Sequence, residues 1–175
     1  AVGIKEIDKP DTEKEKSDTD PLKKQEISIM SPLSGEIKNL SEVNDKTFSQ
    51  ELLGKGIAII PTAGKVYAPF SGTVDAIFNT KHAIGLKSDS GVEVLIPIGL
   101  DTVNLDGEYF TAHVEQSQNV KRGDLLIEFD LEAIKKEGYD IITPIIVTNS
   151  DHYLAILPAT QKSIKEKHEL LKVIN

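Results

Sequence analysis

The stretch Asn79–Val103, NTKHAIGLKSDSGVEVLIPIGLDTV, decides how this chain is read. Two apolar runs, His82–Leu86 and Val92–Ile98, flank Ser88-Asp89-Ser90-Gly91. Strand-like runs around a short polar loop containing Gly are the pattern of a β-hairpin. With Asp89-Ser90 as a two-residue loop, Ser88 pairs with Gly91, and paired numbers sum to 179. His82 then lies opposite Pro97. Directly opposed residues on one face of a sheet have Cβ atoms roughly 4.5–5.5 Å apart. Positions 82 and 97 are therefore where a two-residue site is expected.

The same text runs outward from this hairpin. Short apolar runs punctuated by Gly, Pro, Asn and Asp occur at Ile27–Met30, Glu36–Leu40, Ile57–Ile60, Lys65–Tyr67, Thr73–Phe78, Leu125–Phe129, Ile141–Thr148, His152–Leu157 and Leu170–Ile174. Many short strands with turn signals between them predict an all-β fold, an antiparallel β-sandwich or barrel. Two short helices are expected, at Thr47–Leu53 and at Leu131–Glu137. The second has Asp130 as N-cap and Gly138 as stop. An internal echo pairs Ser31-Pro32-Leu33-Ser34-Gly35-Glu36-Ile37 with Ala68-Pro69-Phe70-Ser71-Gly72-Thr73-Val74. In each, Pro fixes a turn, Gly permits a tight bend and a strand follows. This suggests a sandwich with quasi-two-fold halves, although common turn chemistry also accounts for seven residues twice.

Composition sets the bounds. At 175 residues the chain suits one domain plus a tail, and 39% apolar content suffices for a core. The net charge of −8 argues against a nucleic-acid partner. With no cysteine there is neither a disulfide nor a thiolate metal site. No apolar run reaches the length of a membrane span, and no secretory signal opens the chain. The expected setting is a soluble, acidic, intracellular domain. Residues 1–26, rich in Asp, Glu, Lys, Ser and Thr, read as a disordered linker or tail, and residues 27–175 as the folded domain. The first residue is Ala, which fits processing or a piece of a longer protein.

His82 leads the candidate chemistry. A lone His on a strand is commonly structural, but Thr80 lies two residues earlier and faces the same side of an extended chain. A His facing a second imidazole across a hairpin would suit phosphoryl transfer. One ring attacks, and the other donates a hydrogen bond to the phosphoryl oxygens. The second position is Pro97, which has no nucleophile and no N–H, and which by itself reads as the end of strand pairing. Asp101 either orients an imidazole or caps a turn. Phe48, Leu52, Leu53, Phe78 and Ile84 are core residues or a docking surface around the site. His113 and His152 receive no role. No phosphate-binding, metalloprotease or nucleophile-elbow motif occurs.

Taken together, these segments resemble the glucose-type enzyme IIA domain of the bacterial phosphoenolpyruvate-dependent sugar phosphotransferase system. The resemblance runs from about Ile27 to the C-terminus. It rests on the two Pro-x-Ser-Gly segments above, Gly54-Lys55-Gly56-Ile57-Ala58-Ile59, Thr80-Lys81-His82-Ala83, Ser88-Asp89-Ser90-Gly91-Val92-Glu93, Gly99-Leu100-Asp101-Thr102-Val103 and Leu126-Ile127-Glu128-Phe129-Asp130-Leu131. Lys81-His82-Ala83-Ile84-Gly85-Leu86 and Thr143-Pro144-Ile145 look most like the version fused to the C-terminus of sugar permeases. Residues 1–26 would then be an interdomain linker.

The resemblance implies a β-sandwich that takes a phosphoryl group from HPr on a His and passes it to a Cys of a IIB domain. It implies no cofactor. It places the domain in the cytoplasm, tethered to the inner face of the membrane where a permease is fused upstream. His82 matches the histidine that steadies the phosphate, Thr80 its hydrogen-bonding threonine, and Asp101 the acidic residue near the acceptor. The acceptor histidine itself falls at Pro97. A metal site between paired histidines is thereby weakened, since only His82 remains. Three accounts of Pro97 are open: a one-base change from a His codon, a natural domain that has lost transfer and kept a binding or regulatory role, and His82 as acceptor. A non-catalytic module binding HPr or a transporter is the alternative function. A lipoyl- or biotinyl-like carrier with Lys81 as attachment point is a third, although the chain is about twice as long as such a module needs.

Overall fold

The computed structural model describes residues 25–175. Among these residues, fourteen strands and two short helices follow in order. They are β1 (Glu26–Met30), β2 (Gly35–Lys38), α1 (Lys46–Ser49), β3 (Lys55–Pro61), β4 (Lys65–Tyr67), β5 (Gly72–Ile77), β6 (Ala83–Ser88), β7 (Glu93–Pro97), β8 (Phe110–Ala112), β9 (Asn119–Val120), β10 (Leu125–Phe129), α2 (Leu131–Lys136), β11 (Thr143–Val147), β12 (Ala155–Pro158), β13 (Ser163–Ile164) and β14 (Glu169–Ile174). The expected tail lies outside the described residues apart from Gln25 and Glu26, and Glu26 already belongs to β1.

The strands form an eight-stranded sheet, β13-β2-β3-β11-β7-β6-β5-β9, and two three-stranded sheets, β1-β14-β12 and β4-β10-β8. Every strand pairing among the described residues is antiparallel. One apolar core draws on all three sheets, with Ile29 and Leu171, Val66 and Ile127, and Ile84 and Ile96 inside it. That makes the fold an antiparallel β-sandwich.

The seven-residue echo marks a two-fold relation that runs through the whole domain. In the large sheet β13, β2, β3 and β11 mirror β9, β5, β6 and β7. Gly35 pairs with Ile164 and Pro61, and its counterpart Gly72 pairs with Val120 and Ser88. Ile29 faces Leu171 as Val66 faces Ile127. The turns cross-link: the Met30 amide donates to the Pro69 carbonyl (3.1 Å), and the Tyr67 amide to the Pro32 carbonyl (2.9 Å). Lys167 N donates to Ser31 O and Gly123 N to Ala68 O, both at 2.9 Å. Both echo glycines are required by space. A Cβ on Gly35 would sit 2.0 Å from the Ile60 carbonyl oxygen, and one on Gly72 would sit 2.0 Å from that of Lys87.

Both helices start where their sequences place a cap. The Asp45 carboxylate accepts from the Thr47 amide at 2.9 Å, and that of Asp130 from the Ala133 amide at 3.1 Å. The first helix is shorter than the expected Thr47–Leu53 and ends at Ser49. Its Phe48 is half-buried on the outer face of the large sheet, against a cluster of Leu40, Val43, Ala58, Leu100, Ile142 and Ile146.

Candidate functional site

The hairpin at the centre of the chain exists, but in a different register. Ala83 faces Pro97, Ile84 faces Ile96 and Lys87 faces Glu93, so paired numbers sum to 180 (83 + 97) rather than 179. The loop has three residues, Asp89-Ser90-Gly91. Ser88 and Val92 close it: Ser88 N donates to Val92 O (2.8 Å), and Val92 N donates to Ser88 Oγ (2.9 Å). Gly91, at φ +98°, supplies the left-handed residue that three-residue hairpin loops use. A one-residue slip turns every side chain to the other face. The observed register sets Ile84, Leu86, Val94 and Ile96 together in the core. His82 is thus not directly opposite Pro97; it is one residue off.

The two positions are still neighbours. His82 lies in a bend just before β6, outside the alternation of the strand. Its carbonyl accepts the Ile98 amide at 2.7 Å, which lays its backbone beside the Pro97-Ile98 end of β7. The ring is turned outward by a tight turn, in which Lys81 has φ +58° and its amide donates to Phe78 O (2.8 Å). Thr80 Oγ1 lies 2.5 Å from His82 Nδ1. The turn brings these two together, not the extended alternation expected from sequence. Phe78 tilts against the imidazole with ring centroids 5.4 Å apart. Partial burial pushes the His82 pKa below its ordinary 6.5. The neutral ring is therefore favoured, with Nδ1 engaged by Thr80 and Nε2 left for a ligand.

Pro97 is buried at the end of β7. Leu95 faces Ile146 across to β11, and the Thr148 amide donates to Glu93 O at 2.9 Å. Continuing this register two residues sets Pro97 opposite Pro144 at a position where each strand should donate to the other. Neither residue has an N–H, and the ladder between the two central strands ends there. The chain then enters a turn. Asp101 adopts a left-handed conformation, φ +62°, ahead of the short 3-10 segment Thr102–Leu105. Its side chain is exposed and does not cap that segment, so the capping role considered for it is not taken up.

The expected docking residues divide. Leu52, Leu53 and Phe78 are exposed, at 67%, 40% and 47%. Phe48 is half-buried against the small cluster that includes Leu100. Ile84 does not belong with them: it is 0% exposed and part of the main core, because its even-numbered place in β6 points inward. Val103, 47% exposed and two residues after Asp101, is an apolar surface residue that the sequence reading missed. Its place in the Asp101-Thr102-Val103 turn was the available signal. Also missed were Thr102 and Thr143, two buried hydroxyls next to this turn.

A profile described as "phosphoenolpyruvate-dependent sugar phosphotransferase system, EIIA 1" matches residues 27–153. The chain belongs to this family of sugar phosphotransferase IIA domains. It is 49% identical over 147 residues to a "PTS system beta-glucoside-specific EIIBCA component" of Dickeya chrysanthemi, covering 84% of this chain and 23% of that protein. It is 58% identical over 125 residues to the protein of the same description from Bacillus subtilis (strain 168), covering 71% of this chain and 20% of that one. The chain thus spans about a fifth of the length of these curated relatives. Its structure resembles the glucose permease IIA from Mycoplasma capricolum with a TM-score of 0.77 at 37% identity, covering 85% of this chain and 96% of the other.

Proposed function

We propose that residues 27–175 are the IIA phosphocarrier domain of a sugar-uptake phosphotransferase system, and that the chain as written carries no phosphoryl group because its acceptor position is Pro97. The observation that carries this reading is the pair of neighbouring strand ends. His82 has one ring nitrogen held by Thr80 and the other available, and its backbone adjoins that of Pro97–Ile98. With an imidazole at position 97, its ring nitrogen would attack the phosphorus of phospho-HPr. The P–N bond to the HPr histidine breaks as the new P–N bond forms. His82 Nε2–H would hydrogen-bond the transferring oxygens, and a Cys of the IIB domain would take the group onward. Proline at 97 can do none of this: its nitrogen is a tertiary amide, without an available lone pair or a proton. A IIB domain, a permease domain and a position at the inner membrane face follow from the same reading.

Incubation with labelled phosphoenolpyruvate, enzyme I and HPr tests it. The chain as written takes no label, and Pro97→His takes a stable one. A restored protein that stays unlabelled defeats the phosphocarrier reading. Label on the unaltered chain that vanishes in His82→Gln would make His82 the acceptor instead.

A second reading, a binding module without transfer, is favoured by exposed Leu52, Leu53 and Phe78, which present apolar surface although the nucleophile is missing. Titration of the unaltered chain with HPr separates the two. Micromolar or tighter binding supports a retained interaction, and no binding rejects it.

A further inference from the structure

Five polar side chains in the described residues are buried, and two of them, Thr102 and Thr143, flank the turn that leaves β7. They are 1% and 0% exposed. A buried hydroxyl is retained only with partners, and both have them. Thr102 Oγ1 donates to the Ile98 carbonyl at 2.5 Å. Thr143 Oγ1 accepts the Gly99 amide at 3.3 Å and donates to the Ile141 carbonyl at 3.0 Å. Ile98 is held from the other side as well, its amide donating to the His82 carbonyl. A continuous chain of hydrogen bonds therefore runs from His82 through Ile98 to Thr102, with Gly99 fixed to β11 by Thr143. This lies past the last β7–β11 pair, Leu95 with Ile146, where Pro97 and Pro144 have no N–H to give the ladder. Side-chain hydroxyls hold the strand end where backbone amides cannot.

We infer that Thr143 and Thr102 are positioning residues for the phosphoryl site, setting position 97 and the Asp101 turn against His82. The inference rests on the function proposed above, and deepens it. Neither hydroxyl touches the imidazole. Each acts through the backbone on either side of Ile98, and small displacements of reacting groups cost rate steeply.

The test has two arms. In the Pro97→His protein, Thr143→Val is expected to lower the limiting rate of labelling from phospho-HPr about tenfold, with the half-saturating HPr concentration unchanged. Thr143→Ser, which keeps the hydroxyl, should restore it to within about twofold. Thr102→Val and Thr102→Ser repeat the comparison at an independent site. Val variants that label like their parent, or Ser variants that fail equally, overturn the inference. The second arm needs no transfer. In the unaltered chain, Thr143→Val and Thr102→Val should each shift the His82 ring resonances in NMR spectra, while Leu154→Ala leaves them in place. Unmoved His82 resonances overturn the clamp. A Pro97→His protein that takes no label removes the phosphocarrier reading, while the NMR arm still decides whether the hydroxyls position His82.

Discussion

Pro97 and Pro144 lie two residues past the last β7–β11 pair, Leu95 with Ile146, where the continued register sets them opposite each other and neither has an N–H to give the ladder. Central strands seldom carry even one proline, because each removes a ladder bond. Here β7 and β11 each carry one, and both lie past the last paired residues. Substituting position 97 therefore returns a donor directed at the Pro144 carbonyl. In Pro97→His the new amide should be protected from hydrogen exchange like its ladder neighbours. The gain of about 1 kcal/mol from one hydrogen bond is offset by about 0.4–1 kcal/mol of added unfolded-chain entropy, so urea unfolding should change little. Exchange of that amide at a loop rate would refute the facing arrangement.

His82 titrates below 6.5 because its ring is partly withdrawn from water. A lowered pKa means that the folded state binds fewer protons than the unfolded state between the two values. Stability then rises with pH from the folded pKa up to about 6.5, and is flat above it. Phe78 supplies part of the cover. Phe78→Ala should bring the His82 pKa back toward 6.5 in an NMR titration, and His82→Gln should remove the acid-side loss of stability. A His82 pKa that stays put in Phe78→Ala would assign the burial to other groups.

Lys167 holds φ +74°, and the two-fold relation sets it at the place of Gly123, which has φ +93°. Its ammonium lies 4.8 Å from the centre of the Tyr67 ring. Alanine at 167 loses that contact and keeps the strained backbone, whereas glycine loses the contact and relieves the strain. Lys167→Gly should therefore be more stable than Lys167→Ala by about 1 kcal/mol in thermal or urea unfolding. The reverse order would mean that this backbone is not strained.

Gly35 and Gly72 test the two-fold relation directly. Each would drive a Cβ into a carbonyl oxygen of the paired strand, at the same 2.0 Å. Gly35→Ala and Gly72→Ala should each destabilise the domain by at least about 2 kcal/mol, since backbone on both sides must shift. A near-neutral result at one site alone would mean that the two halves are not equivalent there.

Much of the fold was legible because its signals are local. The eleven apolar runs all contain or become strands, and the second helix begins at its expected cap, Asp130. Three strands were missed: Phe110–Ala112, Asn119–Val120 and Ser163–Ile164. At two or three residues they are too short to show a period, and they exist because β10, β5 and β2 offer them a partner. The hairpin register could have been found. Ile84, Leu86, Val94 and Ile96 reach one face only when even numbers pair with even, and the longer loop with Gly91 follows from that. The placement of Ile84 in a docking patch fails for the same reason.

The sequence by itself determined the family, the β-rich class, the echo that marks the two halves, and the fact that position 97 holds no nucleophile. These depend on residue identity and on spacing within a few residues. Only the tertiary structure decided which groups surround that position. Thr80 meets His82 because a left-handed Lys81 turns the chain, and the buried hydroxyls of Thr102 and Thr143 find their partners in the backbone of Ile98, Gly99 and Ile141. Pro144 is brought onto the strand beside that of Pro97 across a sequence separation that no local pattern spans. Long-range pairing is fixed by the burial of a whole sheet, so its consequences at a single residue appear only once the sheet is assembled.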